Sequence, residues 1–160
     1  MDKKLEKPDF FNINPDIPVE KSLEERFADE RLEWSEKIAH IGNKINNIME
    51  IPELMTTLYT DRQRAIEYYH YLISLLIGVN KTYRKAYADR HDFYTLKSQI
   101  RYPNETTKHN RILVDLAELV EKRETLENHS KFILQTSTTV DNIIYAIPRR
   151  IEIEQISRGK

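Results

Sequence analysis

Apolar residues recur at helical intervals along most of the chain, beginning with a segment that follows residue 22. Its apolar positions alternate in steps of four and three, which is the spacing of a single coiled-coil seam. They are Trp34, Ile38, Ile41, Ile45 and Ile48. Ser22 and Glu25 form a capping-box pair, in which each side chain accepts a backbone N–H of the first turn. The pattern predicts a helix over residues 22–49.

A second helical pattern begins at Pro52, a residue that suits the first helical position because its missing N–H has no partner there. Apolar residues then continue on one stripe from Leu54 to Tyr94. The predicted helix spans residues 52–97 and is about 65 Å long if it runs unbroken through Gly78.

The third pattern is a strict repeat of seven. It consists of Ile112, Leu119, Leu126, Ile133, Val140 and Ile147. A second row contains Leu116, Ile144 and Ile151, with Ser130 and Ser137 between them as small residues that suit close helix approach. Proline inside a helix removes a hydrogen bond and clashes with the preceding turn. Pro148 therefore predicts a helix over residues 108–147, followed by a short piece over residues 149–157.

These patterns together predict an all-α fold, an elongated helical hairpin or bundle of three long helices with heptad-like seams. Residues 22–160 form one helical domain, and residues 1–21, with Pro8, Pro15 and Pro18, form an extended arm. Such narrow seams are filled either within one chain or between chains, and their regularity favours a homo-oligomer. The expected interface residues are Leu119, Leu126, Ile133, Val140, Ile144, Ile147 and Ile151.

Composition excludes several classes of function. The chain has no cysteine, which favours a reducing cytoplasm and rules out thiolate metal sites. Its longest apolar run is too short to span a bilayer, and no membrane partner is expected. With three glycines and no phosphate-binding loop, nucleotide hydrolysis is not expected. The five histidines lack the four-residue spacing of a helical zinc site, so we expect no metal, no cofactor and no catalytic residue.

The net charge is −1, but the charge is unevenly distributed. In residues 81–102, six cations oppose only two carboxylates, and five aromatic residues lie among them. Cations that follow a phosphate backbone and rings that stack on bases are what sequence-tolerant binding of single strands requires. The plainer interpretation is a solvated helix face with tyrosines in the core. Tyr83 and Tyr87 follow the apolar stripe and are assigned to packing. The candidate nucleic-acid-binding residues are Lys81, Arg84, Lys85, Arg90, Phe93, Tyr94, Lys97 and Arg101.

The order of these features resembles the phage recombination mediators of the UvsY type. The resemblance covers roughly residues 50–160. A long helix opens at residues 51–54, becomes basic through Lys81, Arg84 and Lys85, and closes on the acidic-aromatic-aromatic run at residues 92–94. A long last helix then ends in residues 141–151 and a terminal Gly-Lys pair. One basic position of the family falls on Ala88 in this chain.

The resemblance implies a non-enzymatic protein of DNA recombination and repair in phage replication. Members of that family form rings of identical subunits through the C-terminal helix and bind single-stranded DNA. They load a recombinase onto DNA coated by single-strand-binding protein. Carried onto this chain, the resemblance assigns DNA contacts to Arg84, Lys85 and Arg90, and it places a phage protein in the host cytoplasm.

An alternative function uses the same helices and the same basic face. A helical adaptor or phage assembly protein would bind an acidic protein partner where a mediator binds DNA. An enzyme is the third class, because the members of a catalytic set are often remote in sequence.

Overall fold

The computed structural model describes residues 21–159, and the side chains of Ile48 and Arg158 lie outside that description. Within this range the chain is all-α, as predicted, and contains no strand. The predicted arm lies outside the described residues except for Lys21. The helices are α1 (Leu23–Lys44), α2 (Ile51–Asp92), α3 (Glu105–Asp115) and α4 (Ala117–Arg158). A 3₁₀ turn, Ile48–Glu50, precedes α2, and a π-helical turn, Phe93–Lys97, extends it.

Helix α1 starts where the capping box predicts and ends five residues earlier than expected. The Ser22 hydroxyl accepts the Glu25 N–H at 3.2 Å, and the Glu25 carboxylate accepts the Ser22 N–H at 2.8 Å. At the other end, the Asn47 side chain accepts the Met49 N–H at 3.2 Å and donates to Glu50 at 2.7 Å. An amide that bonds its neighbouring backbone competes with helical hydrogen bonding, and this accounts for the early end of α1.

The structure has four helices where three long ones were predicted, and the difference lies in the last third of the chain. The expected helix over residues 108–147 begins at Glu105 and is interrupted at Leu116, which separates α3 from α4. The expected end at Pro148 is wrong, because α4 continues through it to Arg158. Proline removes one backbone hydrogen bond, while Ile147 and Ile151 on either side of it contact the same apolar cluster. Helix α2 likewise continues through Gly78.

The core lies along an antiparallel pair formed by α2 and α4, with α1 packed onto α4. One apolar cluster joins the start of α2 to the end of α4 and contains Ile41, Ile51, Leu54, Leu58, Val140, Ile144 and Ile147. A second cluster lies nearer the middle of both helices and contains Phe27, Ala65, Leu72, Leu126 and Ile133. Early residues of α2 thus meet late residues of α4, whereas α1 runs in the same direction as α4.

The heptad seam of α4 is filled within the chain. Its central residues are buried against α1 and α2, namely Leu126, Ile133, Val140, Ile144 and Ile147. Leu119 and Ile151, at the two ends of the expected interface, are partly exposed. The sequence left open whether this seam closes within or between chains. Its five central residues are therefore not accessible to a second subunit unless the helices separate.

Ser130 and Ser137 are also buried on α4, as their spacing suggested. Beside them, the fully buried His129 stacks on Phe27, with ring centroids 3.9 Å apart and planes 9° from parallel. The His129 Nε2 lies 2.8 Å from Glu30 Oε2, and the Tyr68 hydroxyl donates to the same oxygen at 2.6 Å. Because Tyr68 and Tyr69 also pack on the second apolar cluster, which contains Phe27 and Leu126, both belong to the core.

Burial is the main cause that lowers the pKa of His129, and the positive charge of Arg31 lowers it further, while Glu30 opposes both effects. Burial also raises the pKa of Tyr68, which remains a hydroxyl donor. His129 is therefore a neutral imidazole that donates from Nε2 to Glu30. Within the described residues its Nδ1 has no hydrogen-bond partner.

The pKa of His129 predicts that the fold loses stability on acidification. The folded pKa lies below the ordinary value near 6.5, so the unfolded chain takes up this proton first as the pH falls. The contribution is fully present above pH 6.5 and is lost toward the folded pKa, at up to about 1.4 kcal/mol per pH unit. Urea unfolding at pH 7.5, 6.5 and 5.5 measures this, and His129→Phe, which cannot titrate, should flatten the dependence. An unchanged slope in that variant would exclude His129 as its source.

Candidate nucleic-acid interface

Three of the predicted basic residues lie together on the outer face of α2, the face turned away from α4. Lys81, Arg84 and Lys85 are exposed, and none of them forms an ion pair with another residue of the 21–159 range. A helix turns about 100° per residue, so this trio stays on one side while the buried Leu72 and the partly buried Tyr83 face inward. We call Lys81, Arg84 and Lys85 the outer basic face.

Arg90 is separated from that face. It lies seven residues after Tyr83 and four before Tyr94, which places it on the inward stripe of α2. Its Nε is 4.0 Å from the largely buried carboxylate of Asp115, at the end of α3. The seven-residue spacing between Tyr83 and Arg90 is enough to predict that Arg90 faces inward. Its positive charge alone suggested that it belongs with Lys81, Arg84 and Lys85. Arg90 thus remains a predicted DNA contact without the free guanidinium that the prediction assumed.

The Asp115 carboxylate, at the end of α3, contacts two further polar side chains besides Arg90. The Tyr94 hydroxyl donates to it at 2.5 Å, and Arg111 Nε is 3.4 Å from its other oxygen. The hydrogen bond with Tyr94 and the charge of Asp115 raise the pKa of Arg111, which stays a cation. The carboxylate holds the start of the π-helical turn against the end of α3.

The aromatic candidates divide by what they contact. Phe93 is 42% exposed and meets the ring of Tyr94 edge to face at 5.2 Å. Tyr94 also meets Tyr102 edge to face at 5.3 Å, and its hydroxyl is already bonded to Asp115. Phe93 is therefore the candidate with a free ring surface. Tyr83 lies under the Arg123 guanidinium at 4.8 Å, and Tyr87 shares a 2.8 Å hydrogen bond with His109, so both have the packing role assigned to them.

Beyond the π-helical turn, residues 98–104 and the start of α3 enclose an open cavity of about 600 Å³. Arg101 and Tyr102 line it, together with Leu96 and Ile100. Lys97 and Arg101 are exposed and form no ion pair within the part of the chain that the structure describes. Unpaired cations therefore extend from Lys81 to Arg101, over about 24 Å of helix as far as Lys97 and then into the loop.

The sequence did not identify Lys108, a further cation in this cavity. Its side chain is 8% exposed, and its Nζ lies 2.8 Å from Glu105 Oε1 and 3.0 Å from Thr95 Oγ1. The predicted helix begins at residue 108, which makes Lys108 its first residue. The real start at Glu105, capped by the Asn104 side chain, moves Lys108 into the first ordered turns. Asn104 is a residue type favoured at helix N-caps, and it was the signal in the sequence that could have indicated a start at Glu105.

Residues 21–159 contain no group of three or more histidine, cysteine or carboxylate side chains placed to hold a metal ion. Within the same range, no helix combines the length and the apolar character needed to cross a membrane.

Comparison of the whole chain with protein-family models, with curated proteins and with solved structures gives no match.

Proposed function

We propose that this protein binds single-stranded DNA along the outer basic face of α2 and acts as a recombination mediator. The single observation that carries the proposal is the unpaired state of Lys81, Arg84 and Lys85 on one exposed helix face. A cation held by a carboxylate of its own chain must lose that partner before it binds a phosphate, and these three have none within the described residues. Each is ready to neutralise a phosphate and release a counterion.

The path of the strand follows from the order of these groups along α2. From the outer basic face it runs along α2 and then passes around the π-helical turn, beside the exposed Phe93, to reach Lys97 and Arg101. Stacking of one base on an aromatic ring contributes about 1–3 kcal/mol and is tolerant of sequence. The role in loading a recombinase rests on the family resemblance, whereas the DNA contacts rest on the exposed cations.

Self-association is the second part of the proposal, and it uses the outer face of α4. Near its end, α4 carries apolar side chains on both sides. Val140, Ile144 and Ile147 face the core, but Tyr145, Ile153 and Ile156 are 74, 64 and 65% exposed on the opposite side. Ala146, Ile153 and Ile156 lie there at the four-and-three spacing at which helices of separate chains pack together, with the polar Asn142 and Arg149 at the other two positions.

A ring or other closed assembly would bind DNA much more tightly than one protomer. One subunit offers few phosphate contacts, so its affinity is modest and falls steeply with salt. When subunits are joined through α4, each further contact is intramolecular and the apparent affinity rises without any new chemistry. Assembly and DNA binding are therefore coupled.

Fluorescence anisotropy with a labelled oligothymidylate at 50 and 200 mM salt tests the proposal. We expect saturable binding that weakens at the higher salt, together with a sedimentation mass above that of one 19.1 kDa chain. A duplex of equal length is the comparison, and it should bind less tightly because its bases are not available to Phe93. The absence of binding at 50 mM salt would reject the proposal and favour an adaptor for an acidic protein.

A further inference from the structure

Lys108 and Glu105 form an ion pair at the cavity between the π-helical turn and α3, and the two side chains differ greatly in burial. The lysine side chain is almost entirely buried, whereas the side chain of its carboxylate partner is 79% exposed. The hydrogen bond from Lys108 is the main cause that lowers the pKa of Glu105, so the carboxylate is ionised at neutral pH. A buried ammonium requires a negative partner, and here that partner comes from the solvent side of the cavity.

The position of the Glu105 carboxylate is one that suits an anion from outside the chain. One oxygen is 2.8 Å from Lys108 Nζ, and the other is 3.6 Å from His91 Nε2. Arg101 and Tyr102 line the same cavity, and the Thr95 hydroxyl lies beside the ammonium. Phosphate and carboxylate oxygens accept the same charge-assisted hydrogen bonds. The cavity volume, about 600 Å³, is in the range of small-molecule sites.

We propose that this cavity binds one phosphate of a single-stranded nucleic acid, and that the Glu105 carboxylate occupies the phosphate position until the strand displaces it. The inference rests on the proposed function and adds a regulated contact at the end of the DNA path, in the cavity that Arg101 lines. Displacement is feasible because Glu105 moves into water while Lys108 exchanges one anion for another. The Lys108 ammonium is thus never left without a counter-charge.

This arrangement makes Glu105 a competitor of the DNA. The glutamate is tethered beside its site, so it rebinds quickly whenever a phosphate leaves, which shortens the lifetime of this contact. A protein that hands a strand to another protein benefits from contacts that are readily released. The Glu105 carboxylate provides such release because it rebinds Lys108 when the phosphate leaves. The outer basic face meanwhile keeps the strand bound.

Glu105→Gln tests the inference, with Asp92→Asn as its matched control. Each substitution removes one exposed carboxylate near His91, but only Glu105 contacts Lys108. We expect Glu105→Gln to raise the affinity for a short oligothymidylate about fivefold at 0.1 M salt, and to make the slope of log K against log salt more negative by about 0.7, one phosphate contact. Asp92→Asn should change the affinity less than twofold. Equal gains in the two variants, or no gain in either, would overturn the competition.

Two further measurements identify the site. Adding Lys108→Met, which keeps an apolar side chain of similar length in the buried position, should abolish the gain from Glu105→Gln. Inorganic phosphate and a 5′-phosphorylated dithymidylate should each shift the His91 ring resonances of the Glu105→Gln protein. If the full chain binds no oligothymidylate but phosphate still shifts His91, the proposed function fails and the phosphate site stands. If DNA binds while His91 does not respond and the gain persists in the double variant, only the site fails.

Discussion

Replacing Ile133 with alanine is expected to lower the free energy of unfolding by about 2–5 kcal/mol. Ile133 is fully buried at the middle of α4 and packs in the cluster that contains Ala65, Leu72 and Phe27. Removing most of its side chain forfeits the transfer free energy of the lost atoms and leaves a cavity in a thin core. Because α1, α2 and α4 all meet in this cluster, the whole bundle loses stability together.

Leu134→Ala is the matched control, since Leu134 is the next residue of the same helix and points to solvent. We expect it to change the unfolding free energy by less than about 0.5 kcal/mol. Urea unfolding followed by circular dichroism, at one fixed protein concentration, measures both variants. A sedimentation mass that falls in Ile133→Ala without loss of stability would instead place this residue between subunits and contradict the intrachain seam.

Neutralising the outer basic face should produce the largest change in DNA affinity. The triple substitution of Lys81, Arg84 and Lys85 by alanine removes three phosphate contacts. On single strands each contact contributes about 0.7 to the salt slope. We therefore expect the slope to become less negative by about 2 and the affinity at 0.1 M salt to fall about a hundredfold. The effect should be at least this large when several subunits hold one strand.

A second triple variant provides the control for net charge. Arg64, Lys122 and Lys131 are exposed cations outside the proposed path of the strand. Their replacement by alanine changes the total charge by the same amount and should alter the salt slope by less than one contact. Anisotropy titrations at four salt concentrations compare the two variants. If both lose affinity equally, the binding depends on overall charge, and the outer basic face has no special role.

The sequence predicted most of the helical architecture because the signals for it are local. The capping box at Ser22 fixed the start of α1, and the proline at residue 52 marked the start of α2 within one residue. The interruption at Leu116 carries no comparable signal. Pro148 gave a strong local signal for a helix end, but packing of Ile147 and Ile151 against one cluster kept both sides in a single helix. Tertiary contacts therefore overruled the local preference.

The candidate site was less predictable, because charge along the sequence does not say which way a side chain faces. The basic and aromatic character of residues 81–102 is evident from composition alone. The helical turn of α2 then places Lys81, Arg84 and Lys85 outward and Arg90 beside Asp115. A heptad count along α2 is enough to anticipate that division once the inward stripe is known.

What the sequence determined by itself was the all-α character, the apolar stripes of the helices and the location of the positive charge, since each depends on residues within a few turns of one another. The tertiary structure alone decided which partner fills each stripe. It closed the seam of α4 within the chain and brought Glu30 to His129 across 99 positions. It also placed Lys108 on Thr95 across the loop. These pairings depend on how the helices pack in space, and neither the spacing nor the composition of the sequence specifies that.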